Sequence, residues 1–104
     1  MPHISTHILD IAKGKPAAGV AVDLYSNGNL IASAITNPEG RAQLVTADSI
    51  PPGAWELVFQ VEKYLQPNPF FDRITLRFLV SDEAANYHVP LLLAPHGYST
   101  YRGS

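Results

Sequence analysis

The last four residues, Tyr101-Arg102-Gly103-Ser104, set an aromatic ring, a cation, a glycine and a hydroxyl beside the main-chain carboxylate. Most chain ends fray and carry nothing of the kind. The approach to them, His88 to Thr100, is apolar and β-forming, so a strand presents these four residues and they belong to a site. The chain has no cysteine, which removes thiolate nucleophiles, thiolate metal sites and disulfides and leaves the redox compartment unread. Chemistry must therefore use histidine, arginine, hydroxyls or carboxylates. An imidazole titrates near pH 6.5, so it can take a proton in one step and return it in the next. Arginine stays charged and offers a planar fork of donors that fits adjacent carbonyl oxygens. Such residues suit hydrolysis by an activated water with a donor for the developing oxyanion. His3 and His7 share a strand face and could be joined by His88 around a metal, yet no compact ligand cluster stands out in the sequence.

These groups need a rigid scaffold, and the punctuation of the chain describes one. Nine prolines and seven glycines cut the sequence into short pieces that alternate apolar and polar residues with period two. The pattern predicts an all-β, two-sheet sandwich of about eight strands. They run near Ile4 to Asp10, Gly19 to Ser26, Leu30 to Thr36, Arg41 to Val45, Trp55 to Val61, Ile74 to Ser81, Tyr87 to Leu93 and Tyr98 to Tyr101. Alternation is clearest in Trp55, Leu57, Phe59, Val61, Ile74, Leu76, Phe78 and Val80, the expected core. Ser26-Asn27-Gly28-Asn29 and Asn37-Pro38-Glu39-Gly40 read as hairpin connections. Between Glu62 and Leu65 at most one short helical turn fits before Pro67 and Pro69.

A chain of 104 residues, 46% hydrophobic and 15% charged, makes a single domain spanning residues 1–104 with one core. Seven Lys plus Arg against nine Asp plus Glu give a formal charge of −2 and no basic stripe, so nucleic acid is not an expected partner. No run approaches the roughly 18 apolar residues that span a bilayer, and no charged segment leads into an apolar one at the start. A cytoplasmic protein without membrane contact is the expectation, and Arg102-Gly103-Ser104 is not a peroxisomal address of the Ser-Lys-Leu type. The unalternating run Leu91-Leu92-Leu93 should bury both faces, one on its own core and one on a partner chain, which points to a homo-oligomer.

Several segments carry a resemblance. Ser5-Thr6-His7-Ile8-Leu9-Asp10, Pro16-Ala17-Ala18-Gly19-Val20, Thr36-Asn37-Pro38-Glu39-Gly40-Arg41, Tyr87-His88-Val89-Pro90-Leu91-Leu92 and Tyr98 through Ser104 are together similar to the 5-hydroxyisourate hydrolases, transthyretin-like enzymes of urate breakdown. The internal segments recur in prealbumin-like modules of no catalytic function and identify a fold. The terminal Tyr-Arg-Gly-Ser separates the hydrolases from the hormone-carrying transthyretins. The resemblance implies a prealbumin-like sandwich, a homotetramer built as a dimer of dimers with sites in the groove between dimers, and no cofactor or metal. It implies 5-hydroxyisourate as substrate and 2-oxo-4-hydroxy-4-carboxy-5-ureidoimidazoline as product. Carried over by residue, His7, Arg41, His88 and Ser104 would be catalytic, with Arg41, Tyr101, Arg102 and Gly103 binding substrate. Either His7 or His88 would be the base, its protonation lowering activity at about pH 6 to 7. Ser104 could orient a histidine or an arginine, and Gly103 would let the backbone come close to its neighbours. His96, where many relatives are expected to carry Tyr or Phe, is not counted as catalytic.

Taken without the resemblance, His7 reads as a structural or surface histidine, Arg41 as a solvated turn residue and Arg102 as a tail charge. A transthyretin-like carrier of a small aromatic ligand is the other reading, and it requires an apolar channel that four polar groups would spoil.

Overall fold

A computed structural model describes residues 1–104. Ten strands follow one another: β1 (His3–Asp10), β2 (Lys15–Pro16), β3 (Ala21–Ser26), β4 (Asn29–Ile35), β5 (Arg41–Thr46), β6 (Gly53–Gln60), β7 (Arg73–Val80), β8 (Tyr87–His88), β9 (Leu91–Ala94) and β10 (Gly97–Thr100). They form two sheets. One is a regular antiparallel ribbon in the order β4-β3-β6-β7. The other is organised around β1: its first half lies between β5, antiparallel, and β8, parallel, while its second half lies between β2 and β9, with β10 beyond β9. No helix is long and apolar enough to cross a membrane.

Period-two burial builds the sandwich. Ile4, Thr6, Ile8 and Asp10 of β1 turn inward, and His3, Ser5, His7 and Leu9 turn to the outer face. Twenty buried residues join in one apolar core, including seven of the eight expected from the sequence. Phe78 is the exception. It is half-buried and lies against the Tyr87 ring at 6.2 Å between centroids.

Two expectations need correction. The predicted strand from Tyr87 to Leu93 is two strands, because Pro90 has no N–H for the ladder. Side chains satisfy the backbone at the break: Thr6 Oγ1 donates to the Val89 carbonyl at 2.6 Å and Thr100 Oγ1 to the Pro90 carbonyl at 2.7 Å. Asn37 to Gly40 is not a hairpin, since it carries the chain from β4 in one sheet to β5 in the other. Asn27-Gly28 does close the β3–β4 hairpin, both residues having positive φ as a two-residue turn demands. Residues 62–65 form a single turn, within the limit of one helical turn expected there, with the Leu65 N–H donating to the Val61 carbonyl at 3.0 Å. In the leucine run, Leu91 and Leu93 are fully buried while Leu92 stays half-exposed on the outer face.

Candidate active site

The outer face of the β1 sheet gathers three of the four histidines, His3, His7 and His88. In the parallel pairing of β1 with β8, Ser5 stands beside His88, and in the antiparallel pairing with β5 it stands beside Gln43. One step along, His7 pairs with Arg41. On the other flank of β8, the Gly103 N–H donates to the His88 carbonyl at 2.7 Å, so the C-terminal segment is stitched to the sheet as an isolated bridge. Gly103, His88, Ser5 and Gln43 therefore form a row across the sheet.

A cleft of about 530 Å³ opens over this row, lined by His3, Ser5, Thr6, Asn37, Arg41, Gln43, Asn86, His88, Gly103 and Ser104, with Ala42 its single hydrophobic residue. The turn before β5 aims Arg41. Asn37 Oδ1 accepts from the Glu39 and Arg41 N–H groups at 3.0 and 2.9 Å, and Gly40 takes a φ of +77° with its Cα against the Ile8 carbonyl, where any Cβ would sit 2.5 Å from that oxygen. His88 is half-buried, with Nδ1 2.8 Å from Ser5 Oγ. Burial pushes the His88 pKa below the ordinary imidazole value, and the nearby charges of Arg41, His7 and His3 push it the same way. His88 is thus a neutral imidazole at pH 7, the state a general base requires. His7 is engaged differently: its Nε2 lies 2.8 Å from the Glu39 carbonyl, which only accepts, so that nitrogen carries a proton and donates.

The site residues expected from the sequence divide into two sets. Arg41, His88, Gly103 and Ser104 line the cleft, and His7 sits beside it against Arg41. Tyr101 and Arg102 do not line it. They border a second cavity of about 290 Å³, with Leu76, Phe78, Leu79, Tyr87 and Val89, near the β7 edge. Arg102 lies 4.5 Å over the Tyr87 ring and donates to the Asn86 carbonyl at 3.2 Å, so its guanidinium clamps the terminal segment against the sandwich. His96 lies beside Phe70, with 6.0 Å between ring centroids, and lines no part of the cleft. Sequence reasoning missed Asn37, Gln43 and Asn86 and gave Ser5 no role. The signal for two of them was present, since Ser5 is two residues from His7 and Gln43 two from Arg41 on alternating strands. No group of three or more His, Cys, Asp or Glu side chains stands in an arrangement that could hold a metal.

Fold and site together define a transthyretin-like β-sandwich that carries a polar histidine–arginine cleft on the outer face of one sheet. The chain belongs to the HIUase/Transthyretin family, whose model matches residues 4–103. It is 44% identical to the 5-hydroxyisourate hydrolase of Deinococcus radiodurans, over 99% of this chain and 97% of that protein. The solved structure of Klebsiella pneumoniae 5-hydroxyisourate hydrolase superposes with a TM-score of 0.90 at 37% identity, covering 100% of both chains. Sea bream transthyretin, solved in complex with thyroxine, superposes with a TM-score of 0.86 at 28% identity over 96% of this chain and 93% of its own.

Proposed function

We propose that this protein is a hydrolase that opens the cyclic amide of 5-hydroxyisourate to give 2-oxo-4-hydroxy-4-carboxy-5-ureidoimidazoline, with water as nucleophile. The observation that carries the reading is the meeting of a neutral, half-buried His88 with Arg41 and Ser104 in one polar cleft. The full-length likeness to the hydrolases of Deinococcus radiodurans and Klebsiella pneumoniae supplies the substrate.

In the proposed mechanism His88 Nε2 takes a proton from water as the water oxygen bonds to the lactam carbonyl carbon. Arg41 donates to the oxygen that becomes negative, a contact worth most where charge develops. The proton on Nε2 then passes to the ring nitrogen as the C–N bond breaks, so one water is added across that bond and His88 returns to its neutral form. His7 stands beside Arg41 and holds the Glu39 turn from which Arg41 projects. Ser104 lines the cleft, while Arg102, bound to the Asn86 carbonyl and the Tyr87 ring, keeps the terminal segment in position. A carrier of an aromatic ligand would need an apolar tube, and one hydrophobic residue among eleven is a poor lining for one.

The assembly that accompanies this reading is a homotetramer, a dimer of dimers. The open edges at β7 and β10, the exposed Leu79 and the half-exposed Leu92 favour coverage by other copies of the chain, which sedimentation velocity would size. The activity is tested by generating 5-hydroxyisourate in situ from urate and following its ultraviolet decay with this protein and with a variant lacking Arg102 to Ser104. Accelerated decay that vanishes in the folded truncation supports the reading, and decay at the spontaneous rate with the intact protein rejects it.

A further inference from the structure

His88 is gripped from both sides. Gly103 closes one flank, where a Cβ would meet the ring carbon Cδ2 at 2.6 Å. On the other side Ser5 Oγ lies 2.8 Å from Nδ1, a contact between residues 83 apart in sequence. The backbone enforces it: Ser5 is the parallel partner of His88, and the Ser5 carbonyl accepts from the Val89 N–H at 2.9 Å. The Ser5 hydroxyl has no other partner in the protein. Nε2 of His88 has none and is not buried, so it is the ring nitrogen open to the cleft.

An imidazole in that setting is useful as a base only if the proton of its neutral form sits on the pinned nitrogen. A hydroxyl can accept or donate, and in the accepting sense it leaves Nε2 with the lone pair. When Nε2 takes a proton, Nδ1 still carries its own, so an accepting Ser5 oxygen stays bonded through both states and needs no rearrangement at the moment of reaction. A carboxylate in this place would hold the ring equally well but would also favour the imidazolium. A neutral hydroxyl orients the ring without doing so.

We propose that Ser5 is the positioning residue for His88, accepting a hydrogen bond from Nδ1–H so that Nε2 faces the cleft as the proton acceptor. The inference rests on the reading of His88 as base in the hydrolysis above, and its test has one readout that does not depend on turnover. The nitrogen chemical shifts of His88 in the 15N-labelled wild-type protein report which nitrogen carries the proton. The expected spectrum shows Nδ1 protonated and Nε2 bare at pH 7.5. The Nε2–H tautomer as the major form would overturn the assignment whether or not the protein hydrolyses 5-hydroxyisourate.

Turnover supplies the second arm. Ser5→Ala should lower kcat about ten- to a hundredfold with KM within about twofold of wild type, since it loosens a ring without removing a substrate contact. The His88 nitrogen shifts should move toward a mixture of tautomers in the same variant. Ser5→Thr, which keeps the hydroxyl, should recover most of the rate and the wild-type shifts. Ser5→Ala with wild-type kcat and wild-type shifts would refute the role. Should wild type show the Nδ1–H tautomer yet leave 5-hydroxyisourate at its spontaneous decay, the positioning stands and the hydrolase reading falls.

Discussion

Replacing Gly103 with alanine tests how tightly the site is built. The added methyl carbon would lie 2.6 Å from His88 Cδ2 and 3.2 Å from Pro90 Cγ. Carbon atoms in contact prefer roughly 3.5–4.0 Å, so the overlap with the ring is about 1 Å. The ring cannot easily yield, because Nδ1 is held at 2.8 Å by Ser5 and the Gly103 N–H grips the His88 carbonyl at 2.7 Å. Either the imidazole moves by about 1 Å, which takes Nδ1 beyond hydrogen-bond reach of Ser5, or the terminal segment lifts and takes Ser104 out of the cleft. A displacement of that size can cost about a hundredfold in rate. The fold should survive, because Ser104 is exposed and the twenty-residue core does not include Gly103. The assay is ultraviolet decay of 5-hydroxyisourate made in situ, with a circular dichroism melt on the same sample. Gly97→Ala is the control, since a Cβ there meets nothing within 4 Å. A folded Gly103→Ala protein with kcat within twofold of wild type would refute the argument from close approach.

Other outcomes follow from the same geometry. With the pKa of His88 held below the usual imidazole value by burial and by the nearby Arg41 charge, the acid-side decline of kcat/KM should have its midpoint below pH 6.5; a midpoint above 6.5 would argue against His88 as base. Arg41→Gln removes the donor assigned to the oxyanion and should lower kcat about a hundred- to a thousandfold with the melting temperature little changed, because Arg41 is exposed. Tyr64→Phe should destabilise by about 1.5 kcal/mol, because Tyr64 Oη donates to Asp10 Oδ2 at 2.7 Å, and the melting temperature should drop by roughly 6–12 °C without loss of kcat. For Asp10, burial raises the pKa but the hydrogen bonds from Tyr64, Lys13 and Ala12 outweigh it and hold it below the usual value, so its contribution to stability is present above about pH 4 and is lost on further acidification. A pH-dependent unfolding series should show a shallower acid loss in the Tyr64→Phe variant than in wild type.

The sandwich was legible because most of its strands alternate and their inward faces are largely apolar; Trp55, Leu57 and Phe59 could hardly face anywhere but the core. Less legible was what depends on partners distant in sequence. Nothing local in Asn37-Pro38-Glu39-Gly40 distinguishes a hairpin from a step between sheets, because the turn chemistry is the same and the pairing of β5 with β1 decides. Pro90 carried the signal for a broken strand, but the apolar run around it hid the break. Within the site, Arg41 and His88 converge through strand register, and Gly103 and Ser104 through the bridge to His88. Arg102 parts from Gly103 and Ser104 because its guanidinium lies over the Tyr87 ring and donates to the Asn86 carbonyl, partners that only the folded chain brings near. Ser5 was hidden in plain view, since a serine on a strand has no chemical prominence until the residue beside it is known.

The account is tested most directly by the decay rate of 5-hydroxyisourate in the presence of wild-type protein and of His88→Gln at equal concentration. It predicts rapid decay with wild type and, with a His88→Gln protein of unchanged circular dichroism, a rate lower by at least about a hundredfold. Wild-type protein that leaves the spontaneous rate unchanged, or a His88→Gln variant as fast as wild type, would contradict it.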